Sequence, residues 1–282
     1  MEMQCYEIFR NCFKEFTLDF ESFKRLTFRK GIKILTKKVD DKIVGYIIYY
    51  KNRINLLCVD PSFQNQGIGS ELLAKAEEDI TSTNEYKDIV LGRSKILLAS
   101  VCTKDEYYER KGAHFFKRRG YTSLGYCEEM SLDLSKYDIN KTKYNHDIEG
   151  VSFDFFKGSK EDLLAAVALV DKAWLDCFDS PECIYVAMKD DKVVSFCNIT
   201  VGDVTKLTNE NSLVGNVGCV GTIPSARKQG IGLTLVAKAT EILKERGVNI
   251  AHIHYTGVAP WYRKLGYETY IYYWFAHKKI NN

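Results

Sequence analysis

Only four prolines interrupt the 282 residues, and no tract of simple composition does, which excludes a proline-rich stalk or a disordered tail of any size. No apolar run approaches eighteen residues, so neither a membrane-spanning helix nor a membrane partner is expected, and the first residues do not read as a secretory leader. Charge is short of an excess in either sense: 40 Lys and Arg against 37 Asp and Glu leave +3, too little to argue for nucleic acid. The basic runs Arg25–Lys30 and Lys117–Arg119 read as solvated faces or as aids to phosphate binding. The nine cysteines are odd in number and never spaced Cys-x-x-Cys. That disfavours a disulfide framework and a zinc ribbon, and it favours reduced thiols in apolar cores and a cytoplasmic location.

What is present is a repeat. The pattern Pro-x-x-[Gln/Arg]-x-x-Gly-x-Gly runs from Pro61 through Gln64, Gly67 and Gly69, and again from Pro224 through Arg227, Gly230 and Gly232. The two copies lie at an offset of 163 residues, which also superposes Leu72, Ala74, Lys75 and Ala76 on Leu235, Ala237, Lys238 and Ala239. Upstream, Asp40-Asp41-Lys42 matches Asp190-Asp191-Lys192, an acidic tight turn between strand-like runs. Downstream, Phe115 to Tyr121 resembles Trp261 to Tyr267. Four landmarks in one order indicate two related domains, expected over 1–140 and 146–282, with the polar stretch Ser135–Gly150 as linker.

Each copy reads as helices, a hairpin, a strand, the glycine loop, a long amphipathic helix and further strands. The second opens with a strand at Val151–Phe156, whereas the first begins directly in helix-like sequence, Cys5–Phe16. Leu163, Leu164, Val167, Val170 and Trp174 predict one helix over Ser159–Phe178. An α/β (α+β) fold, duplicated in tandem, is the expectation.

Glycines that let the backbone curl before a helix start form an anion cradle, because successive N–H groups converge on the positive end of the helix dipole. Two common versions do not fit. A dinucleotide fingerprint needs a third glycine where Leu72 and Leu235 stand, and a Walker loop needs a lysine that Gly69-Ser70 and Gly232-Leu233 lack. Both copies instead resemble the acyl-CoA pyrophosphate loop of the GNAT N-acetyltransferase superfamily, and the resemblance runs through nearly the whole chain twice.

That resemblance implies two GNAT-like domains, each a mixed, largely antiparallel sheet with a splayed central pair and flanking helices. It implies acetyl-CoA as co-substrate, no metal, and a small-molecule or peptide amine as acceptor. By position, the cofactor would meet Arg227, Lys228, Gln229, Gly230, Ile231 and Gly232 in the second loop. In the first it would meet Gln64, Asn65, Gln66, Gly67, Ile68 and Gly69. The backbone of Val220 and Thr222, or of Leu57 and Val59, would face the pantetheine and the thioester carbonyl.

Family members commonly protonate the departing thiolate with a tyrosine four residues before the glycine of the short-helix motif. That residue is Tyr262 in the second copy and Phe116 in the first, and a phenylalanine has no proton to give. An aromatic that only packs the short helix would occupy the same place. Tyr107 and Tyr108, in the first copy's extra segment, are alternative acids. The first loop's neutral Gln64-Asn65-Gln66 gives a weaker field for phosphate than Arg227-Lys228. The expectation is that the C-terminal copy catalyses and the N-terminal copy supports. A non-catalytic acyl-CoA sensor, or catalysis by the N-terminal half, are the alternatives. For the general base, Asp203, Glu210, His252 and His254 are all open, as is the choice between monomer and homodimer.

Overall fold

The computed structural model describes residues 1–14, 18–91, 112–202 and 212–280. It divides into two compact units, and the divisions fall inside strands. One unit holds Met1–Cys127 and Ile271–Asn282, the other Glu128–Thr205 and Glu210–Tyr270.

The first unit starts with helices α1 (Glu2–Cys12) and α2 (Phe20–Thr27). Asp19 caps α2, its side chain accepting from the Ser22 amide at 2.7 Å. Strands β1 (Lys33–Val39), β2 (Lys42–Tyr50) and β3 (Arg53–Val59) form an antiparallel meander. The β1–β2 hairpin turns at Asp40 and Asp41, both in the left-handed region (φ 48 and 62), as a two-residue turn with matching twist requires. After the first glycine loop, helix α3 (Ile68–Thr81) buries Leu72, Leu73, Ala76 and Ile80 on the sheet. Lys33 meets Asp79 at 2.6 Å and Lys37 meets Glu71 at 2.8 Å, so β1 is tied to the outer face of α3. Strand β4 (Asp88–Leu91) runs parallel to β3, and on its other side pairs with residues Ala276–Lys279 of the last strand of the chain, β11 (Glu268–Lys279). A short helix, α4 (His114–Lys117), precedes β5 (Thr122–Asp133).

The second unit repeats the plan. Strands β6 (Val151–Phe155), β7 (Ile184–Lys189), β8 (Lys192–Val201) and β9 (Val214–Thr222) are antiparallel neighbours, and Asp190 and Asp191 repeat the left-handed hairpin turn (φ 49 and 57). The glycine loop leads into α6 (Ile231–Glu245), so numbered after α5 (Lys160–Ala168). Strand β10 (Ile250–Thr256) runs parallel to β9, and the short helix α7 (Ala259–Tyr262) follows. The strand beside β10 is the second half of β5, with Ile250 opposite Asp133 and Thr256 opposite Glu128. The sheet of this unit is therefore ordered β6-β7-β8-β9-β10-β5, mixed and largely antiparallel.

Two local expectations change. The helix predicted over Ser159–Phe178 breaks after Ala168: Ser159 caps α5, and Asp171 then caps a separate 3-10 segment, Lys172–Cys177, by accepting from the Ala173 amide at 2.9 Å. The stretch Ser135–Gly150 is packed down rather than slack. Tyr137 is buried and donates to the Ala237 carbonyl at 2.9 Å, its own carbonyl accepts from Lys244, and Ile139, Tyr144 and Ile148 cover the core around α6. The apolar and aromatic members of this polar stretch explain the difference. Among the described residues no helix is long and apolar enough to cross a membrane.

Candidate active site

Both glycine loops adopt one conformation. Asn65 and Gly67 take φ 63 and 86, and Lys228 and Gly230 take φ 64 and 81, so each loop makes two left-handed steps before its helix starts at Ile68 or Ile231. The side-chain bonds match too. Gln64 donates to the Val59 carbonyl at 2.9 Å where Arg227 donates to the Thr222 carbonyl at 3.0 Å. Gln66 donates to Ser62 O at 3.3 Å where Gln229 donates to Ser225 O at 3.2 Å. The cradle is thus built twice from backbone, with the first helical amides pointing out of it.

The copies differ in how tightly the helix start is packed. A methyl at Gly232 would come within 2.7 Å of Thr222 Oγ1 and 3.2 Å of the Trp261 ring. At Gly69 the neighbours, Phe115 and Val59, stand at 3.5 and 3.6 Å, an ordinary contact. The first loop also has a cation, from the basic run Lys117–Arg119. Arg119 donates to Ser70 Oγ at 2.6 Å and to Phe115 O at 2.7 Å, with its guanidinium 3.7 Å from the Phe115 ring. A positive charge is therefore seated at the start of α3, which offsets the neutrality of Gln64-Asn65-Gln66. Leu265 occupies the corresponding position in the second copy.

Beside the second loop the central strands part. The β9–β10 ladder covers only Ile250↔Val214, Ala251↔Gly215 and His252↔Asn216, although β9 continues to Thr222 and β10 to Thr256. A bulge at Cys219 (φ 47) accompanies the register shift against β8. The Ile223 amide donates to Val194 O on the β8 side at 3.0 Å. Since successive amides in a strand alternate, those of Thr222 and Val220 face the open edge. Ser195 holds this strand end, donating to Gly221 O at 2.7 Å with its oxygen 2.9 Å from Thr222 Oγ1. In the first unit the described β3–β4 pairs are Arg53↔Val90 and Ile54↔Leu91, and the Asp60 amide donates back to Val44 O on β2, so the amides of Val59 and Leu57 face away from β2.

Tyr262 ends α7, 6 % exposed, with its ring edge-on to Trp261 (4.8 Å) and Tyr267 (6.1 Å). Its hydroxyl has no hydrogen-bond partner among the described residues. Burial pushes its pKa well above the ordinary phenol value, with Tyr267, Cys197 and Cys219 adding in the same direction, so it stays protonated. In the first unit Phe116 occupies the equivalent position, edge-on to Phe115 and Tyr121.

The chain matches the pattern of the acetyltransferase (GNAT) domain over residues 4–125 and that of the acetyltransferase (GNAT) family over residues 148–267. It belongs to the GNAT acetyltransferase family. Solved structures agree in fold. A glucosamine N-acetyltransferase region of a fungal multi-domain GH3 beta-N-acetylglucosaminidase superposes with TM-score 0.83 at 23 % identity over 98 % of this chain. This chain spans 36 % of that protein's length. A GCN5-related N-acetyltransferase from Sphaerobacter thermophilus gives TM-score 0.74 at 17 % identity, covering 99 % of this chain and 92 % of that one. A tandem GNAT protein from the clavulanic acid biosynthesis pathway gives 0.66 at 14 %, covering 100 % and 95 %. No curated protein sequence matches the chain.

Of the residues singled out from sequence, the GNAT chain places Arg227–Gly232, Thr222 and Val220 around one loop and one strand end, and Gln64–Gly69, Val59 and Leu57 around the other. Tyr107, Tyr108, Asp203 and Glu210 lie outside the described residues. His252 and His254 are joined by a residue the motif reading missed, Glu129 of β5. The carboxylate is wholly buried, and its Oε2 lies 2.8 Å from His252 Nε2 and 2.9 Å from His254 Nδ1. These three side chains offer ligand atoms within 4.8 Å of one another, which a divalent ion of the zinc type would accept. In the structure those nitrogens and the oxygen already satisfy each other as hydrogen-bond partners. The signal in the sequence is a glutamate on a strand between Cys127 and Met130, where alternation asks for an apolar residue.

Proposed function

We propose that this protein is an acyl-CoA-dependent N-acyltransferase that moves acetyl from acetyl-CoA to a primary amine by direct attack, with the chemistry in the C-terminal copy. The observation that carries the assignment is Tyr262, a buried, protonated hydroxyl with no hydrogen-bond partner among the described residues, at the position that Phe116 takes in the other copy. The pyrophosphate rests on the loop Arg227–Gly232, with Arg227 and Lys228 supplying charge. The thioester carbonyl accepts from the open-edge amides of Val220 and Thr222, each worth a few kcal/mol in the transition state. As the amine nitrogen bonds to the acyl carbon, the C–S bond breaks and the thiolate takes the proton of Tyr262.

The N-terminal copy, nominally residues 1–140, is proposed to hold CoA without turning it over. The matching loop conformation and Arg119 favour binding, and Phe116 removes the acid. Eight described cysteines are free thiols, which supports a reducing compartment.

The test is calorimetric titration of the full chain with acetyl-CoA, followed by CoA release with an amine panel. Glucosamine comes first, because a structural neighbour is described as acting on it, with a free α-amino peptide and a lysine peptide beside it. Binding with amine-dependent release is expected. Binding with no release from any amine would instead support the sensing alternative.

A further inference from the structure

The acetyl-transfer mechanism above leaves the proton of the attacking amine without an acceptor, and the β9–β10 fork contains a group built to take it. His252 is the last β10 residue paired to β9, opposite Asn216, and His254 lies two residues further on, on the same face, where the strands have parted. Ala251 and Ile253 pack toward α6, so the two histidines lie on the opposite face. His252 is fully buried, with Nδ1 2.9 Å from Asn216 Oδ1 and Nε2 facing Glu129 Oε2 (2.8 Å) and the Tyr270 hydroxyl (2.5 Å). Both ring nitrogens of His252 face oxygens, so the ring is held on one side by Asn216 and on the other by Glu129 and Tyr270.

His254 differs. Its side chain is 29 % exposed, its Nδ1 lies 2.9 Å from Glu129 Oε2, and among the described residues its Nε2 meets no partner. A carboxylate can only accept, so Glu129 fixes the Nδ1–H tautomer and leaves the lone pair on Nε2, on a side chain that keeps part of its surface exposed. The titratable groups around it are Glu129 from β5, His252 and Tyr255 from β10, and Tyr270 from β11.

We propose that His254 is the general base of the transfer and Glu129 its positioning residue, which deepens the acetyltransferase reading and rests on it. The amine proton passes to His254 Nε2 as the C–N bond forms, while the departing thiolate is protonated separately by Tyr262. Glu129 lies outside the segment, 148–267, that matches the second family pattern. The base of the C-terminal site is therefore completed by a strand that sequence assigns to the first copy.

Imidazole ¹H–¹⁵N spectra of the full chain test the geometry without turnover. His254 should show the Nδ1–H tautomer, shifting to a mixture in Glu129→Gln; an Nε2–H tautomer in the wild type overturns the proposal. Kinetics test the role, with the panel amine that turns over, glucosamine first. His254→Gln, at a side chain 29 % exposed, should lower kcat by about 10²-fold or more with acetyl-CoA affinity and melting temperature close to wild type. The deficit should narrow near pH ~9, where a sugar or α-amine arrives largely uncharged. Wild-type kcat in His254→Gln sinks the base alone, and so does activity lost on chelation and restored by zinc. A wild type that binds acetyl-CoA yet acetylates nothing removes the transferase reading, and the base with it.

Discussion

Replacing Tyr262 by Phe removes one oxygen and gives the second copy the side chain that the first copy has at this position. The ring packing against Trp261 and Tyr267 is retained, and the hydroxyl makes no hydrogen bond among the described residues, so folding stability should change by less than about 1 kcal/mol. Loss of the proton donor should nonetheless lower kcat by about 10²-fold or more, equivalent to roughly 2.7 kcal/mol of barrier. Tyr267→Phe is the natural contrast. Its hydroxyl lies 2.9 Å from Thr240 Oγ1 in a fully buried pair, and Thr240 keeps its bond to Val236 O at 2.7 Å. That change should cost about 1 kcal/mol of stability and leave the chemical step nearly intact. Thermal melts, acetyl-CoA titration and thiol-detected CoA release on the two variants separate the effects. Because burial raises the Tyr262 pKa, no alkaline loss of rate should come from its ionisation below about pH 10. Turnover within twofold of wild type in Tyr262→Phe would falsify the acid assignment, and a large drop in melting temperature would show the residue to be packing alone.

Three further outcomes follow from the paired architecture. Gly232→Ala should weaken acetyl-CoA binding and destabilise the fold by about 1–3 kcal/mol, since the methyl meets Thr222 and Trp261, whereas Gly69→Ala should be neutral or gain up to ~1 kcal/mol; equal effects at the two sites in melts and titrations would contradict the packing difference. Asp79, with its carboxyl lowered first by Lys33 and then by the Tyr49 hydroxyl, adds stability that is whole above pH ~4 and is lost as pH falls through its depressed folded value. For this partly exposed pair the effect is under ~1 kcal/mol, so the urea midpoints of wild type and Asp79→Asn should differ at pH 7 and draw together as pH falls below ~4. Iodoacetamide at neutral pH should label exposed Cys177 first and then partly buried Cys12, whose thiol is lowered chiefly by a bond from Cys58. Buried Cys5, pushed up to about 11, and Cys58 should resist until unfolding, and native-state labelling of Cys58 would count against this ordering.

Much of the site was legible in the chain because it is made locally. The two aspartates of each hairpin, the left-handed steps at Asn65 and Gly67 or Lys228 and Gly230, and the apolar stripe of the following helix are all set within a dozen neighbouring residues. The repeat then fixed their order, and Tyr262 against Phe116 gave the difference between the copies. Other features required distant chain segments to meet. The predicted helix at Ser159–Phe178 stopped early because Asp171 could cap a second segment, a competition that periodicity does not score. Arg119 reaches Ser70 across 49 positions, and Glu129 reaches His252 and His254 across 123 and 125.

The sequence by itself thus determined a duplicated GNAT chain, the conformation of both glycine loops, and which copy has a tyrosine where the other has a phenylalanine. Short-range steric and hydrogen-bond preferences suffice for those. Only the tertiary structure decided that the ends of β5 and β11 serve the units they do, that a cation sits beside the first loop, and that a buried glutamate orients His254 at the fork. Strand pairing is chosen by the whole core, and a side chain's partner across a sheet leaves no spacing in the sequence to read.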